Sequence, residues 1–189
     1  QSLALIRGIV MDNGSRDIRI VAQPQTYSSH ENLTREIKME IYELNKPSHP
    51  CYRAIVQIGK RLPSPPLYDS GVLCGLRPFP MTVDDMYRRW LFHGPCFQGI
   101  STIEGINQQG ICAFLLPSLP DQCLNQNTGS RWLIDPVLLD CSLQLAILWE
   151  RFHYDMTPLP TGFKSYRRFG SPSDSPVRCS LEAYPRSGG

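Results

Sequence analysis

The sequence predicts an α+β fold: antiparallel strands wrapped around one long buried helix. Three observations carry this reading. Residues 36–44 alternate polar and apolar side chains strictly, the period of a strand with one face on a core. Residues 137–153 are apolar nearly all round, which predicts a helix buried on every side. Strand-like runs flank both segments, punctuated by Gly, Asn and Pro. The two halves of the chain are unequal, because the first is strand-rich and has no helix comparable to that in the second.

The 189 residues suit one domain, or two small ones sharing a core. Lys and Arg number 19 and Asp and Glu 17, a net charge of +2. That near-balance argues against nucleic acid or an anionic membrane surface as the main partner. Hydrophobic residues make up 41% of the chain, enough for a real core, and charged residues 19%. The 17 prolines are nearly double the average of about 5%, and they cluster between periodic segments as loop punctuation. No apolar run approaches the ~18 residues of a membrane span. The start of the chain lacks both an initiator Met and the pattern of a signal peptide, so it reads as a piece of a longer chain. The cysteines, Cys51, Cys74, Cys96, Cys112, Cys123, Cys141 and Cys179, form no C-x-x-C pair. This argues against zinc, and the odd count in apolar surroundings predicts buried free thiols in a reducing, cytoplasmic setting.

In chain order, residues 3–10 and 17–22 read as a hairpin turning at Asp12-Asn13-Gly14. Residues 36–44 and 51–58 read as two more strands. Residues 61–80, with Leu62-Pro63-Ser64-Pro65-Pro66, read as a linker. Residues 83–90 form a short helix with Thr82 at its N-cap, Met86, Tyr87 and Trp90 recurring at helical spacing. Residues 100–106 and 110–116 are strands. Asp135 caps the long helix and Pro136 occupies its first position, where the missing N–H costs nothing. Residues 162–169 return as a strand, and 173–189 form a flexible tail or an edge strand.

Asp140 is the first candidate for chemistry. It lies on the apolar helix among Leu138, Leu139, Leu143 and Leu145. A carboxyl in such surroundings is expected to hold its proton to higher pH, which suits a proton donor. Gln144, one turn on, either orients Asp140 or binds the same substrate hydroxyl. The competing reading makes Asp140 a cap for a neighbouring loop or the partner of an arginine. The run Phe92-His93-Gly94-Pro95-Cys96-Phe97-Gln98-Gly99 makes a fixed turn that projects a ring. His93 there either serves acid–base or binding work or is a turn histidine bonded to backbone. Cys96 reads as a buried structural thiol. His30, His49 and His153 read as surface residues, and Arg167-Arg168 as a solvated strand edge. There is no P-loop, G-x-G-x-x-G, G-x-S-x-G or H-E-x-x-H.

These residues resemble those of polyketide synthase dehydratase domains. Phe92 to Gly99 resembles the Tyr-Gly-Pro-x-Phe motif of that family. Asp135-Pro136-Val137-Leu138-Leu139-Asp140-Cys141-Ser142-Leu143-Gln144 resembles its His-Pro-x-Leu-Leu-Asp-x-x-x-Gln helix. Pro158-Leu159-Pro160-Thr161-Gly162-Phe163 falls where the family has Leu-Pro-Phe-x-Trp, without the Trp. His before Gly-Pro, and Trp-Leu-Ile-Asp-Pro ahead of the helix, are most similar to iterative synthases of the polyunsaturated-fatty-acid or enediyne type. The resemblance implies a double hotdog, two curved antiparallel sheets each wrapped on a central helix. Residues 1–60 would be later strands of an incomplete first unit and 81–172 the second unit.

The implied reaction is loss of water from a β-hydroxyacyl thioester on the phosphopantetheine arm of an acyl carrier protein, with no other cofactor and no metal. Asp140 would be the acid and Gln144 its support. His93, Gly94, Pro95 and Phe97 would bind substrate at the pocket mouth. Acyl carrier protein, other domains of the same synthase and a second copy in a homodimer would be the partners. The family's His-x-x-x-Gly-x-x-x-x-Pro motif is absent, because no His here has Gly four residues on and Pro five beyond. Either the general base lies outside this chain, or the domain is a degenerate one that scaffolds the synthase or docks a carrier protein. A hotdog thioesterase or isomerase using the same carboxylate is a further alternative.

Overall fold

The computed structural model of the chain describes residues 2–11, 14–25, 34–60, 64–67, 73–125, 129, 131–170 and 174–184. Its contacts divide it into two compact units, residues 1–66 with 160–170, and residues 67–159 with 171–189.

The first unit is a five-stranded antiparallel sheet. Its strands are β1 (Ser2–Leu5), β2 (Ile18–Pro24), β3 (Thr34–Glu43), β4 (Tyr52–Gly59) and β7 (Gly162–Phe163), in the order β2-β3-β4-β1-β7. The alternating segment is β3, at the heart of the β2-β3-β4 meander. The expected hairpin of residues 3–10 with 17–22 does not form. β1 stops at Leu5 and pairs with β4, Leu3 opposite Ala54, while β2 pairs with β3, Ile20 opposite Ile41. Asp12 and Asn13 of the expected turn lie outside the described residues, as do His30 and parts of the 61–80 linker. Of the expected strand at 162–169 only Gly162–Phe163 is extended, and it joins β1 in this unit, not the second. Arg167 is exposed there and Arg168 half-buried, its Nε donating to the Gly170 carbonyl at 2.7 Å.

Glutamates on this sheet are paired with partly exposed cations. Glu40 sits opposite Arg53 across β3 and β4 and accepts from its Nε at 2.9 Å, with Lys38 Nζ at 3.1 Å. Arg53 first, then Lys38, holds the Glu40 carboxyl below its ordinary range. No helix lies among this unit's described residues.

The second unit holds nearly all the buried apolar side chains. Its sheet is β5 (Ile100–Asn107), β6 (Gly110–Leu115) and β8 (Val177–Glu182), antiparallel in that order. Bulges between Ile100 and Thr102 and between Ile103 and Gly105 break the β5 register; such insertions bend a strand. β8 is the edge strand that the C-terminal segment contributes, Cys179 opposite Ala113. The short helix α1 (Val83–Arg89) starts where Thr82 Oγ1 accepts from the Asp85 amide at 3.2 Å. A one-turn 3-10 helix (Pro95–Phe97) and the short helix α2 (Pro120–Cys123) follow.

The long helix α3 (Pro136–Tyr154) packs on β6 and β8. Val137, Cys141, Gln144, Leu145 and Leu148 fall at helical spacing and are buried, and no residue from Pro136 to His153 is exposed. This matches the all-round apolar sequence. The core gathers Met86, Ile100, Ile106, Ile111 and Leu115 around that face. No helix among the described residues is long and apolar enough to cross a membrane.

One residue anchors the start of α3. Asp135 is buried, and its Oδ1 accepts from the Val137 amide at 2.8 Å and the Leu138 amide at 3.2 Å. The Ser118 amide reaches Oδ2 at 2.6 Å and the Ser118 hydroxyl reaches Oδ1 at 2.7 Å, with Trp132 Nε1 donating to that hydroxyl at 3.1 Å. The carboxylate thus ties the helix N-terminus to the segment after β6. Asp135→Ala removes the cap and leaves several part-buried donors without an acceptor. Thermal or denaturant unfolding should show a loss of about 1–3 kcal/mol; an unchanged midpoint would contradict this role.

Candidate active site

Asp140, Gln144, His93 and Phe97 come together inside the second unit, where α3 passes the turn that carries Gly94-Pro95. The Asp140 side chain is 31% exposed and the His93 side chain 12% exposed. His93 Nε2 lies 3.4 Å from Asp140 Oδ2. Gln144 Nε2 donates to the same Oδ2 at 2.7 Å and to the Phe97 carbonyl at 2.8 Å. Asp140 is therefore partly open to solvent, while Gln144, one turn further into the helix, is wholly buried.

Gln144 is fixed at both ends of its amide. Its Oε1 accepts from the Tyr87 hydroxyl at 3.0 Å, and that hydroxyl accepts from the Ile100 amide at 3.0 Å. The backbone N–H of Ile100 is an obligatory donor and the Phe97 carbonyl can only accept, so the Tyr87 hydroxyl is free to donate and the Gln144 nitrogen lies on the Phe97 side. Oε1 then faces Tyr87, and the amide nitrogen faces Asp140 and Phe97. Burial pushes the Tyr87 hydroxyl far above its ordinary value, so it stays a donor. The Gln144 amide thus has partners within the protein at both ends, Asp140 among them.

The turn is held from both sides. Gln98 Nε2 donates to the His93 carbonyl at 2.9 Å, and the Phe92 and His93 rings stack with centroids 4.4 Å apart. Gly94 caps the one-turn 3-10 helix that Pro95 opens. Gly94 and Pro95 are exposed, and Phe97 is 37% exposed. Gly99 brings the following strand against α3, because a Cβ there would lie 2.9 Å from Val137 Cγ1 and 3.0 Å from Cys141 Sγ.

Two sequence readings are corrected here. Cys96 is exposed, not buried, because the one-turn 3-10 helix that holds it buries none of its residues; Cys74 is exposed too. His153 is half-buried, not on the surface. Its Nε2 lies 3.0 Å from the Asn107 carbonyl, and its ring packs on Trp149 and Phe152. His49 is exposed. Tyr87 is the site residue that sequence reading missed. Its helical spacing with Trp90 pointed only to core packing, and nothing in the sequence marks the amide that turns its hydroxyl. Among the described residues no group of three or more His, Cys, Asp or Glu side chains is arranged to hold a metal ion.

Residues 78–187 match the model of the polyketide synthase dehydratase N-terminal domain. The chain belongs to the polyketide synthase dehydratase family. Among solved structures it is similar to a dehydratase studied for substrate selection in the borrelidin and fluvirucin polyketide synthases, with a TM-score of 0.60, 15% identity, and 95% of this chain and 61% of that one covered. The erythromycin dehydratase gives 0.59 at 16% identity, covering 95% and 62%. The bifunctional dehydratase-cyclase domain of ambruticin biosynthesis gives 0.57 at 16%, covering 98% and 65%. At such identity the likeness is one of fold, and that fold is the hotdog. This dehydratase-family chain spans about six-tenths of the length of those relatives. A search of curated proteins returned no match.

Burial also sets the chemistry of Cys141, on α3 beside Asp140. It pushes the thiol up to about 11, so Cys141 stays protonated where an ordinary thiol, near 8.5, is half ionised. Mass-spectrometric mapping of iodoacetamide labelling at mildly alkaline pH should find Cys141 alkylated at least about 100-fold more slowly than exposed Cys96. Equal rates would mean the α3 face is open.

Proposed function

We propose that this protein is a dehydratase domain of a polyketide or fatty-acid megasynthase. It removes water from a β-hydroxyacyl thioester carried on the phosphopantetheine of an acyl carrier protein. The observation that carries the reading is Asp140. It is a partly exposed carboxyl on the central helix, held by buried Gln144, in a chain that belongs to the dehydratase family.

A base takes the α-proton and the C–H electrons become the Cα–Cβ double bond. The Cβ–O bond breaks, and Asp140 gives the leaving hydroxyl the proton that makes it water. Gln144 keeps the carboxyl aimed. His93, Gly94, Pro95 and Phe97 line the approach for the acyl chain. The general base is a histidine outside the motifs of this chain, from the family's first hotdog. The acyl carrier protein and neighbouring synthase domains are the partners, in a cytoplasmic homodimeric assembly of the iterative type. Residues 1–60, joined by the short strand Gly162–Phe163, serve as the later strands of the first hotdog, 61–80 as linker, and 81–159 with β8 as the body of the second.

The absent His-x-x-x-Gly-x-x-x-x-Pro motif favours a second reading, a dehydratase-like domain that scaffolds the synthase or docks a carrier protein without catalysis. One assay separates them. A β-hydroxyacyl thioester is given to this chain, to its Asp140→Asn variant and to a longer form of the parent protein, and the α,β-unsaturated product is followed. Activity in the longer form, reduced at least about 100-fold by Asp140→Asn, supports the acid role. No activity in any folded form supports the scaffold. Release of free thiol would indicate a hotdog thioesterase.

A further inference from the structure

Two thiols of the second unit meet beside the turn that carries Gly94-Pro95. Cys96 is exposed on the one-turn 3-10 helix Pro95–Phe97, and its Sγ lies 3.8 Å from the Gln122 carbonyl oxygen. The next residue is Cys123, half-buried, the last of α2. A trans peptide holds the carbonyl oxygen beside the following Cα, so Cys123 Cα lies within about 7 Å of the Cys96 sulfur. Disulfides join residues whose Cα atoms stand about 4.4–6.8 Å apart. Rotation about either Cα–Cβ bond carries a sulfur between staggered positions. The thiols also sense each other: after burial, Cys96 does most to push the Cys123 thiol above its ordinary range, ahead of Asp135.

The other cysteines are not placed in this way. Cys112 and Cys179 sit on neighbouring strands, but Cys112 stands opposite Ser180 and Cys179 opposite Ala113. Their side chains therefore leave opposite faces of the sheet. Cys51 and Cys141 are buried and belong to different units. Cys74 is exposed, and its carbonyl accepts from Asn107, at the end of β5 away from the turn.

We propose that Cys96 and Cys123 are a peroxide-responsive pair that closes to a disulfide. Exposed Cys96 is the thiol that peroxide reaches. Its thiolate attacks one peroxide oxygen and the O–O bond breaks. The second oxygen leaves as hydroxide and takes the thiol proton to become water, and Cys96 is left as a sulfenic acid. The Cys123 thiolate then attacks that sulfur, the S–O bond breaks, and the departing hydroxide becomes water with the Cys123 proton. Two thiols lose two electrons and two protons in all, and one peroxide becomes two waters. The link ties the Gly94-Pro95 turn to α2, and thiol reductants release it. The pairing does not depend on the dehydratase reading.

The test treats the reduced full chain, at low concentration, with a small excess of hydrogen peroxide. Remaining thiols are blocked with iodoacetamide and the chain is digested without reduction. Chymotrypsin cuts after Phe97 and Phe114 and so separates Cys96, Cys112 and Cys123. Mass spectrometry should find the Cys96 and Cys123 peptides joined, at least about 10-fold above any other pair, and parted again by dithiothreitol. Cys123→Ser should leave Cys96 as a sulfenic acid that dimedone traps, and Cys74→Ser should leave the link unchanged. Cys96 joined mainly to another cysteine or to a second chain overturns the proposal. So does sulfenic acid accumulating at Cys96 while wild-type Cys123 stays free, or the same pairing preference in urea, where no fold directs it.

Discussion

A wholly buried amide must place every polar atom, and Gln144 is where the second unit meets that demand. Its oxygen takes the Tyr87 proton, and its nitrogen divides between the Phe97 carbonyl and Asp140. Each partner belongs to a different element: α1, the 3-10 turn and α3 itself. Leaving any of them unpaired in the interior costs about 1–3 kcal/mol. The same bonds that satisfy the core therefore fix the angle at which Asp140 leaves the helix. Stability and site geometry are coupled here through one side chain, with no charged group buried to do it.

The cap at Asp135 plays the complementary part at the end of the helix. It sets where α3 begins, and the register of Asp140 and Gln144 follows from that start. Gly99 then allows the strand after the turn to close on Val137 and Cys141. The second unit is organised around this helix, whereas the first presents a sheet whose buried polar groups, Glu40 and Glu43, are met by Arg53, Lys38 and Arg7. A sheet with so few buried apolar side chains contrasts with the packed interior around α3.

What was legible in the sequence was mostly local. Asp135-Pro136 and the apolar run after it announce α3, because cap, first-turn proline and periodicity lie within one segment. Thr82 announces α1 in the same way. Strand pairing was not legible, because partners are chosen by contacts distant in sequence: residues 3–10 look like one arm of a hairpin, yet β1 finds β4 and β7. The family motifs brought Asp140, Gln144 and His93 forward together. Tyr87 stayed hidden because its role is set by the Ile100 amide, and Phe97 enters through its carbonyl as much as its ring. Backbone groups leave no trace in residue identity.

The account's central claim is that Asp140 manages the proton of a β-hydroxyl. The most direct test runs the reaction backwards. An α,β-unsaturated acyl thioester is incubated in 18O-labelled water with the form of the protein that dehydrates, and the β-hydroxyacyl product is weighed. The account predicts 18O at the β-hydroxyl with wild-type protein and its near-complete loss with Asp140→Asn. Equal incorporation by both proteins would contradict it.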